Sequence, residues 1–378
     1  MTEQQKKFIT MVENVPQNLV EQFRVMVYKY AQAHTTEIDI DDVHNRITPP
    51  DSFIDSISET SPSNTKPKTI KTKDWMLKRI LCAAKQPLNL DSAMERFIEI
   101  FRFRAQFPVS KLTMANSLPL EFFSLMAAEF NGYCRHGSLV GVVRIRLYRR
   151  IAQFDEIICR AAMYLLEQED IRWDNGDRDH ERGRSDYCGV TIVIDCRDFD
   201  FWRSINLGLM KFMIKLAYYY PNAIMAVLIY ALPWKYQFVL QLIKGWIKSF
   251  TGFPIDDLFH LVNDQSDFYK FIEPDQLPQY LYGTKPQISE YEKIQARPEQ
   301  DMAPLPFDEM VRLLIDQGIM MVEEKNFQQM SKYIKNLMHE NYHPHHGSNY
   351  NNNNINIEYD NDNDNDNNNN NNNNNESA

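Results

Sequence analysis

The feature that most constrains the fold is one apolar run near the centre of the chain. Its uninterrupted part, from Ala223 to Leu232, is ten residues long and would reach only about 15 Å as a helix. The hydrocarbon core of a bilayer is about 30 Å thick, and extending the run backwards meets Pro221 and Lys215. The run is therefore too short to span a membrane. Because it is bounded by prolines and contains β-branched and aromatic residues, it predicts a strand buried on both faces.

Strand and helix patterns alternate around this run. The predicted strands are 139–150, 187–195 and 223–232, and the predicted helices between them are 157–171 and 206–219. Parallel strands need a crossover connection, which is usually a helix. This order predicts an α/β fold built on a mixed, mainly parallel sheet that is flanked by helices.

The first predicted strand alternates strictly between two kinds of residue. One set is Val143, Ile145 and Leu147, and the other is Arg144, Arg146 and Tyr148. A period of two residues predicts a strand with one buried face and one exposed face.

The chain divides into four predicted regions. Residues 1–112 have helical spacing on both sides of a Ser-, Thr- and Pro-rich insertion near 48–70, and predict a helical N-terminal lobe. Residues 117–285 contain the alternation of strands and helices. Residues 286–340 return to helical spacing and predict a helical extension. The Asn- and Asp-rich tract at 341–378 predicts a disordered tail, because it has few side chains that could form a core.

Charge and cysteine content limit the possible functions. The formal charge is −10, and six of the acidic residues lie in the tail at 341–378, which has no Lys or Arg. The rest of the chain is nearly balanced and has no basic stripe, so no nucleic-acid partner is expected. The five cysteines form no CxxC pair, and the first residues lack the apolar region of a signal peptide. These features predict a cytoplasmic protein with free thiols.

The motifs of common enzyme classes are missing from the sequence. There is no GxGxxG, P-loop, GxSxG or HExxH motif. The segment CRDFDF at 196–201 is interpreted as a polar strand end. The HPHH segment at 343–346 and the Asp/Asn repeat at 360–366 lie in the predicted tail, and the repeat lacks the Gly and Glu of a calcium-binding loop. We expect no catalytic residue, no metal site and no cofactor, and a protein that is not an enzyme.

Residues 234–250 predict an amphipathic helix. Its polar stripe consists of Gln237, Gln241, Lys244, Gly245 and Lys248, opposite a face rich in apolar and aromatic residues. Two interpretations remain open, a surface helix packed on the sheet and a helix that lies in a membrane interface. Two interpretations of Lys211 and Lys215 also remain open, a solvated helix face and a site for an anionic headgroup.

Four segments taken together resemble the CRAL-TRIO lipid-binding family. They are GYCRHGSLVGVVRIR (132–146), VTIVIDCRDFDF (190–201), the Tyr-Tyr-Pro segment with the strand and helix that follow it (218–247), and IEPDQLPQYLYGT (272–284). Their order and spacing carry the resemblance, which covers about 117–285, and residues 74–107 resemble the helical lobe of that family. The resemblance implies a sheet that forms the floor of an apolar pocket, closed by a mobile gate helix at Trp234–Phe250.

The resemblance also implies site residues and a ligand class. The implied lipid-pocket residues are Ile192, Ile194, Phe212, Leu216, Val227, Ile229, Phe238 and Leu242. The implied membrane-facing gate residues are Lys244, Trp246, Lys248 and Phe250, and the candidate headgroup residues are Arg144, Arg146, Lys211 and Lys215. The expected partners are a phospholipid or another hydrophobic small molecule and, transiently, a membrane surface, while protein partners are left open.

The sequence departs from the family pattern at charged positions. Relatives that bind phosphatidylinositol carry Glu where this chain has Lys211, and Lys where it has Asp256 or Asp257. Both charges are inverted, which argues against recognition of an inositol headgroup. The main hypothesis is non-enzymatic lipid binding, with possible transfer between membranes, by a reversibly membrane-associated protein. The alternative is an adaptor that uses the CRAL-TRIO fold as a membrane- or protein-docking surface.

Overall fold

The computed structural model describes most of the chain before residue 342. The described residues are 10–47, 49–50, 74–84, 88–125, 127–174, 189–198, 206–221, 223–251, 258–285 and 303–341. Most of the insertion predicted near 48–70 and nearly all of the tail predicted at 341–378 lie outside these ranges.

The described part of the N-terminal lobe includes four helices with defined bounds. They are α1 (Gln17–Ala33), α2 (Ile40–Arg46), α3 (Asp74–Ala83) and α4 (Leu90–Gln106). Phe23, Leu77 and Phe97 are fully buried in the one core that these helices share. The start of α4 is capped by Asn89, whose side chain accepts a hydrogen bond from the backbone N–H of Ser92. The predicted helical N-terminal lobe is confirmed.

Five strands form one sheet whose spatial order follows the chain. They are β1 (Ala128–Tyr133), β2 (Leu139–Arg144), β3 (Val190–Asp195), β4 (Ile224–Tyr230) and β5 (Phe259–Val262). β1 runs antiparallel to β2, and all other neighbouring strands are parallel. The predicted α/β fold with a mixed, mainly parallel sheet is confirmed, and β4 is the strand predicted from the central apolar run.

The half-buried strand predicted at 139–150 is wrong in length and in exposure. β2 ends at Arg144, and Ile145–Leu147 form a 3₁₀ turn. The first four residues of β2 are all buried, since β1 and β3 flank the strand and other elements cover both of its faces. Val143, which the alternation assigned to the inner face, is partly exposed. Alternation therefore described the residue types but not the surroundings of the strand.

Three helices connect the parallel strands. A short helix, α5 (Leu120–Ser124), precedes β1, and the connecting helices are α6 (Phe154–Asp174), α7 (Leu207–Tyr219) and α8 (Gln237–Thr251). Because the strand order follows the chain and parallel crossovers are right-handed, all three connections lie on the same side of the sheet. The packing agrees, since Met163 of α6 and Leu216 of α7 share a cluster with Val190 of β3. We call this side the helix face.

The opposite side of the sheet is covered by residues 264–285, which we call the strap. The strap begins with α9 (Gln265–Tyr269) and continues through two 3₁₀ turns. Phe268 and Leu277 of the strap pack against Val193 and Leu228 of the sheet, and all four are fully buried. We call this side the strap face.

Two C-terminal helices pack on the beginning of α6. They are α10 (Phe307–Asp316) and α11 (Glu324–Asn341). Phe307 and Met330 share a buried cluster with Phe154, and the hydroxyl of Tyr333 donates to the carbonyl of Leu147 at 2.9 Å. Over residues 303–341 the chain has the helices that its spacing predicts.

Candidate functional site

Two rows of apolar side chains cross the helix face of the sheet. Strand register aligns Val143, Ile194, Ile229 and Leu261 in one row, and Gly141, Ile192, Val227 and Phe259 in the other. Residues paired across parallel strands project from the same side of the sheet, and every second residue of a strand shares that side. We call these two rows the apolar floor.

The two faces of the sheet differ in their exposure. Val193, on the strap face of the central strand, is fully buried. Its neighbours on the helix face, Ile192 and Ile194, are only half-buried, and Val143 and Leu261 are each 38% exposed. The side chains of a central strand become accessible only where the covering layer is incomplete. Part of the apolar floor is therefore open, and exposed apolar surface of this kind is typical of binding sites.

Helices α7 and α8 flank the open part of the floor. Six of the predicted pocket residues fall into two buried clusters here, one with Ile192, Phe212 and Leu216 and the other with Ile194, Val227 and Ile229. α8 contributes Leu240 to the second cluster. The structure thus places these six residues in two clusters, and their role in lining a lipid pocket stays a prediction.

The other two predicted pocket residues lie on an exposed part of α8. Phe238 and Leu242 are 61% and 44% exposed, and Trp234, in the turn before α8, is 83% exposed. The spacing of four residues between them is that of one helix side. These three residues form what we call the exposed stripe. The spacing was visible in the sequence, but the packing of Leu240 decides which side of the helix faces the sheet.

The predicted gate residues are described only in part. Lys244 is half-buried and Lys248 is exposed on α8. The side chains of Trp246 and Phe250 lie outside the described part of the structure. Their assignment to a membrane-facing gate stays a prediction.

The four candidate headgroup residues do not form one cluster. Lys211 and Lys215 are exposed on α7, which covers the helix face. Arg144 faces the strap, because it alternates with the floor residue that precedes it in β2. Arg146 lies in the turn after β2, with its Nη1 3.9 Å from Oδ2 of Asp198. The structure thus separates the two lysines from Arg144 by the thickness of the sheet.

The Tyr-Tyr-Pro segment is where the lobe attaches to the end of α7. Arg96 donates from Nη2 to the carbonyl of Tyr218 at 2.7 Å, and Arg79 donates from Nε to the carbonyl of Pro221 at 3.0 Å. Carbonyls at the C-terminal end of a helix lack partners within the helix and carry partial negative charge, so arginines suit them. The resemblance located this motif, but no local pattern along the chain indicates these distant partners.

A buried network of charges joins the lobe to α6. Arg104, 1% exposed, donates to both carboxylate oxygens of Asp42 at 2.5 and 2.7 Å and to Glu167 at 2.7 Å. Glu167 also forms an ion pair with Arg46, and it accepts a hydrogen bond from the hydroxyl of Tyr220 at 2.5 Å. Two arginines and two carboxylates balance each other, which makes their burial tolerable.

One reactive side chain of the described residues, the thiol of Cys196, lies at the apolar floor. Cys196 lies in the cluster of Ile194 and Val227. Burial raises the pKa of its thiol to about 12, with a further contribution from Asp195, so the unreactive thiol form dominates at neutral pH. Within the described ranges, no group of three or more His, Cys, Asp or Glu side chains is placed to hold a metal ion. No helix in those ranges is long and apolar enough to cross a membrane.

The sheet, its crossover helices and nearly all of its strap lie in a part of the chain that matches a known protein family. Residues 128–283 match the CRAL/TRIO domain. The fold is therefore the CRAL-TRIO fold that the sequence motifs indicate. Residues 128–283 of this chain thus form a CRAL-TRIO domain.

The known proteins that are similar to this chain include a fungal relative and a solved structure. A CRAL-TRIO domain-containing protein of Schizosaccharomyces pombe is 22% identical over 221 residues, which are 56% of this chain and 46% of that protein. This chain thus matches less than half the length of that relative. The crystal structure of Sfh5 aligns with 65% of this chain and 81% of its own, at 18% identity and a TM-score of 0.44.

Proposed function

We propose that this protein binds a lipid, with the apolar part of the ligand lying on the apolar floor and α8 acting as its cover. The observation that supports this most is the incomplete burial of Ile192 and Ile194 at the centre of the sheet. A folded domain normally buries such positions, as it does with Val193 on the other face. The role is binding and transport of the ligand, without chemical conversion.

The energetics of a lipid chain favour an enclosed site. Exposing a chain of roughly fourteen methylenes to water costs on the order of 10 kcal/mol, at about 0.8 kcal/mol for each methylene. A carrier must therefore cover the chain while it is in water, and its cover must open where a membrane replaces water. α8 suits this role, because Leu240 contacts the floor while Phe238 and Leu242 face outward.

The exposed stripe supports reversible membrane contact as the step of lipid entry and release. Trp234, Phe238 and Leu242 are exposed apolar side chains, and Lys211 and Lys248 are exposed on the two adjacent helices. Apolar residues beside lysines are typical of helices that lie in the interface of an anionic membrane.

The test of lipid binding is mass spectrometry of lipids that co-purify with the full chain. Ile194→Asp puts an unpaired charge at the centre of the apolar floor, where an apolar ligand cannot compensate it. We expect the wild type to carry about one lipid class in stoichiometric amount, and the variant to lose most of it.

A matched control adds the same charge away from the floor. Met321 is strongly exposed in the C-terminal extension, so Met321→Asp should keep the lipid content of the wild type. Thermal melts of both variants establish that they are folded. A wild type without lipid, or a folded Ile194→Asp with normal lipid content, would refute the proposal.

A further inference from the structure

One polar row lies at the carboxyl ends of three parallel strands. Arg144, Asp195 and Tyr230 are aligned in register on β2, β3 and β4. Tyr230 belongs to the cluster beneath the strap, so this row faces the strap and not the apolar floor. Tyr280 of the strap lies under the guanidinium of Arg144, with 4.0 Å between the guanidinium carbon and the ring centre.

The two charged side chains of this row, Arg144 and Asp195, differ in their ion pairing. Asp195 is the direct neighbour of Arg144 in the sheet, yet both of its oxygens accept from Arg197, at 2.9 and 2.7 Å. Among the described residues, Arg144 makes no ion pair with a carboxylate, and its buried Nε has no hydrogen-bond partner. A buried donor without an acceptor is destabilising and therefore uncommon in folded proteins.

The backbone around this row is unusual in a second, independent way. Four described residues other than glycine have positive φ, and three of them lie at this edge of the domain: Asp198 after β3, Ala231 after β4, and Tyr282 in the strap, at 54°, 54° and 67°. The hydroxyl of Tyr282 also lies 2.8 Å from that of Tyr230. Residues held in this region of φ and ψ concentrate at functional sites.

We propose that Arg144, stacked on Tyr280, is the anchor of an oxyanion site for a phosphate group, separate from the apolar floor. A guanidinium that stacks on a ring through its flat face can still donate from its edge, which is the geometry for bidentate phosphate binding. Arg197 balances the charge of Asp195 by donating to both of its oxygens, so Arg144 adds a net positive charge to this row in a chain whose formal charge is −10. The ligand is either a soluble phosphate ester or the phosphate of a lipid headgroup.

The test is calorimetric titration of inorganic phosphate into the full chain at low salt. We expect saturable binding to one site, and at least tenfold weaker binding by Arg144→Gln. Arg150 is an exposed arginine six residues further on, so Arg150→Gln is the matched control and should change the affinity less than twofold. Arg144→Lys keeps the charge but not the planar fork, and should fall between the wild type and Arg144→Gln.

Two further experiments are needed. One distinguishes a soluble phosphate ester from a lipid headgroup, and the other shows whether phosphate binding depends on lipid binding. If the ligand is a headgroup, Arg144→Gln also reduces flotation with phosphatidic acid vesicles, whereas for a soluble ester flotation is unchanged. Ile194→Asp, on the other face of the sheet, should bind inorganic phosphate like the wild type, so failure of lipid binding leaves this test intact. If Arg144→Gln does not fold, the phosphate affinity of Arg144→Lys, compared with that of the wild type, tests the proposal. Undetectable phosphate binding by the wild type, or equal binding by folded Arg144 variants, overturns the proposal.

Discussion

At the scale of single residues, two glycines of the CRAL-TRIO domain have opposite surroundings. A Cβ atom at Gly283 would lie 1.8 Å from the carbonyl oxygen of Leu277, because the strap turns back on itself there and Lys285 donates to that same carbonyl. A Cβ atom at Gly245 in α8 would meet nothing within 4 Å. The first glycine is required by a close backbone approach, and the second is not.

Substitution by alanine should therefore have opposite effects at the two positions. We expect Gly283→Ala to lower the free energy of unfolding by about 1–3 kcal/mol, since the strap must shift to admit the methyl group. Gly245→Ala should raise it by up to about 1 kcal/mol, because alanine is the better helix former. Urea denaturation of both variants measures this. An unchanged Gly283→Ala would show that the strap end is not tightly packed.

At the scale of the element, α8 has two apolar sides with different neighbours. Leu240 is buried against the apolar floor, whereas Phe238 and Leu242 are exposed. An ordinary surface helix would place its apolar residues on the sheet side alone. This division fits the proposed role of α8 as a cover between a bound lipid and a membrane.

The exposed stripe should contribute to membrane binding but not to stability. We expect Phe238→Ala with Leu242→Ala to weaken vesicle binding at least tenfold, or about 1.4 kcal/mol, since two apolar side chains no longer insert. The melting temperature should stay the same, because these side chains are exposed. Met321→Ala, an exposed residue outside α8, is the control and should not affect flotation. A loss of stability without a loss of flotation would contradict a membrane-facing role.

The lysines of α8 should act through charge. Replacing Lys244 and Lys248 by Glu removes attraction worth about 1 kcal/mol for each lysine near an anionic surface. Flotation should fall by well over tenfold at low salt and by less at high salt, because salt screens the interaction. Equal flotation of the wild type and the variant at low salt would remove these lysines from the membrane contact.

At the scale of the whole molecule, the network around Arg104 couples the lobe to the CRAL-TRIO domain. Asp42 and Arg104 come from the lobe, and Glu167 comes from α6. Removing one partner of a buried ion pair leaves the other charge uncompensated, which costs more than the pair contributes. The network therefore makes the folding of the two regions interdependent.

Neutralising one carboxylate of this network should be strongly destabilising. We expect Glu167→Gln to lower the free energy of unfolding by about 3–5 kcal/mol. The ion pair of Arg102 with Glu37 joins the same lobe helix to an exposed carboxylate, so Glu37→Gln is the control and should barely change the melt. Denaturation of both variants measures these free energies of unfolding. A similarly small decrease for both variants would show that the buried network does not couple the lobe to the domain.

Local patterns in the sequence determined the elements of this protein. Apolar runs and spacing located β3, β4 and the three longer helices of the lobe, because the periods of strands and helices are set by backbone geometry and can be read along the chain. The order of strands and helices then predicted a mainly parallel sheet, which is confirmed. The CRAL-TRIO motifs indicated the family before any contact was known.

Only the tertiary structure decided which surfaces meet. Periodicity gives a helix its sides but not its neighbours, so it could not tell that Leu240 faces the floor while Phe238 faces solvent. It also could not place Arg144 on the strap face, because strand alternation does not say which side of a sheet is open. The contacts of Arg104 with Glu167 join residues 63 positions apart, and no local pattern encodes a pairing at that separation. Position within the folded sheet, and not residue type, decided the candidate site.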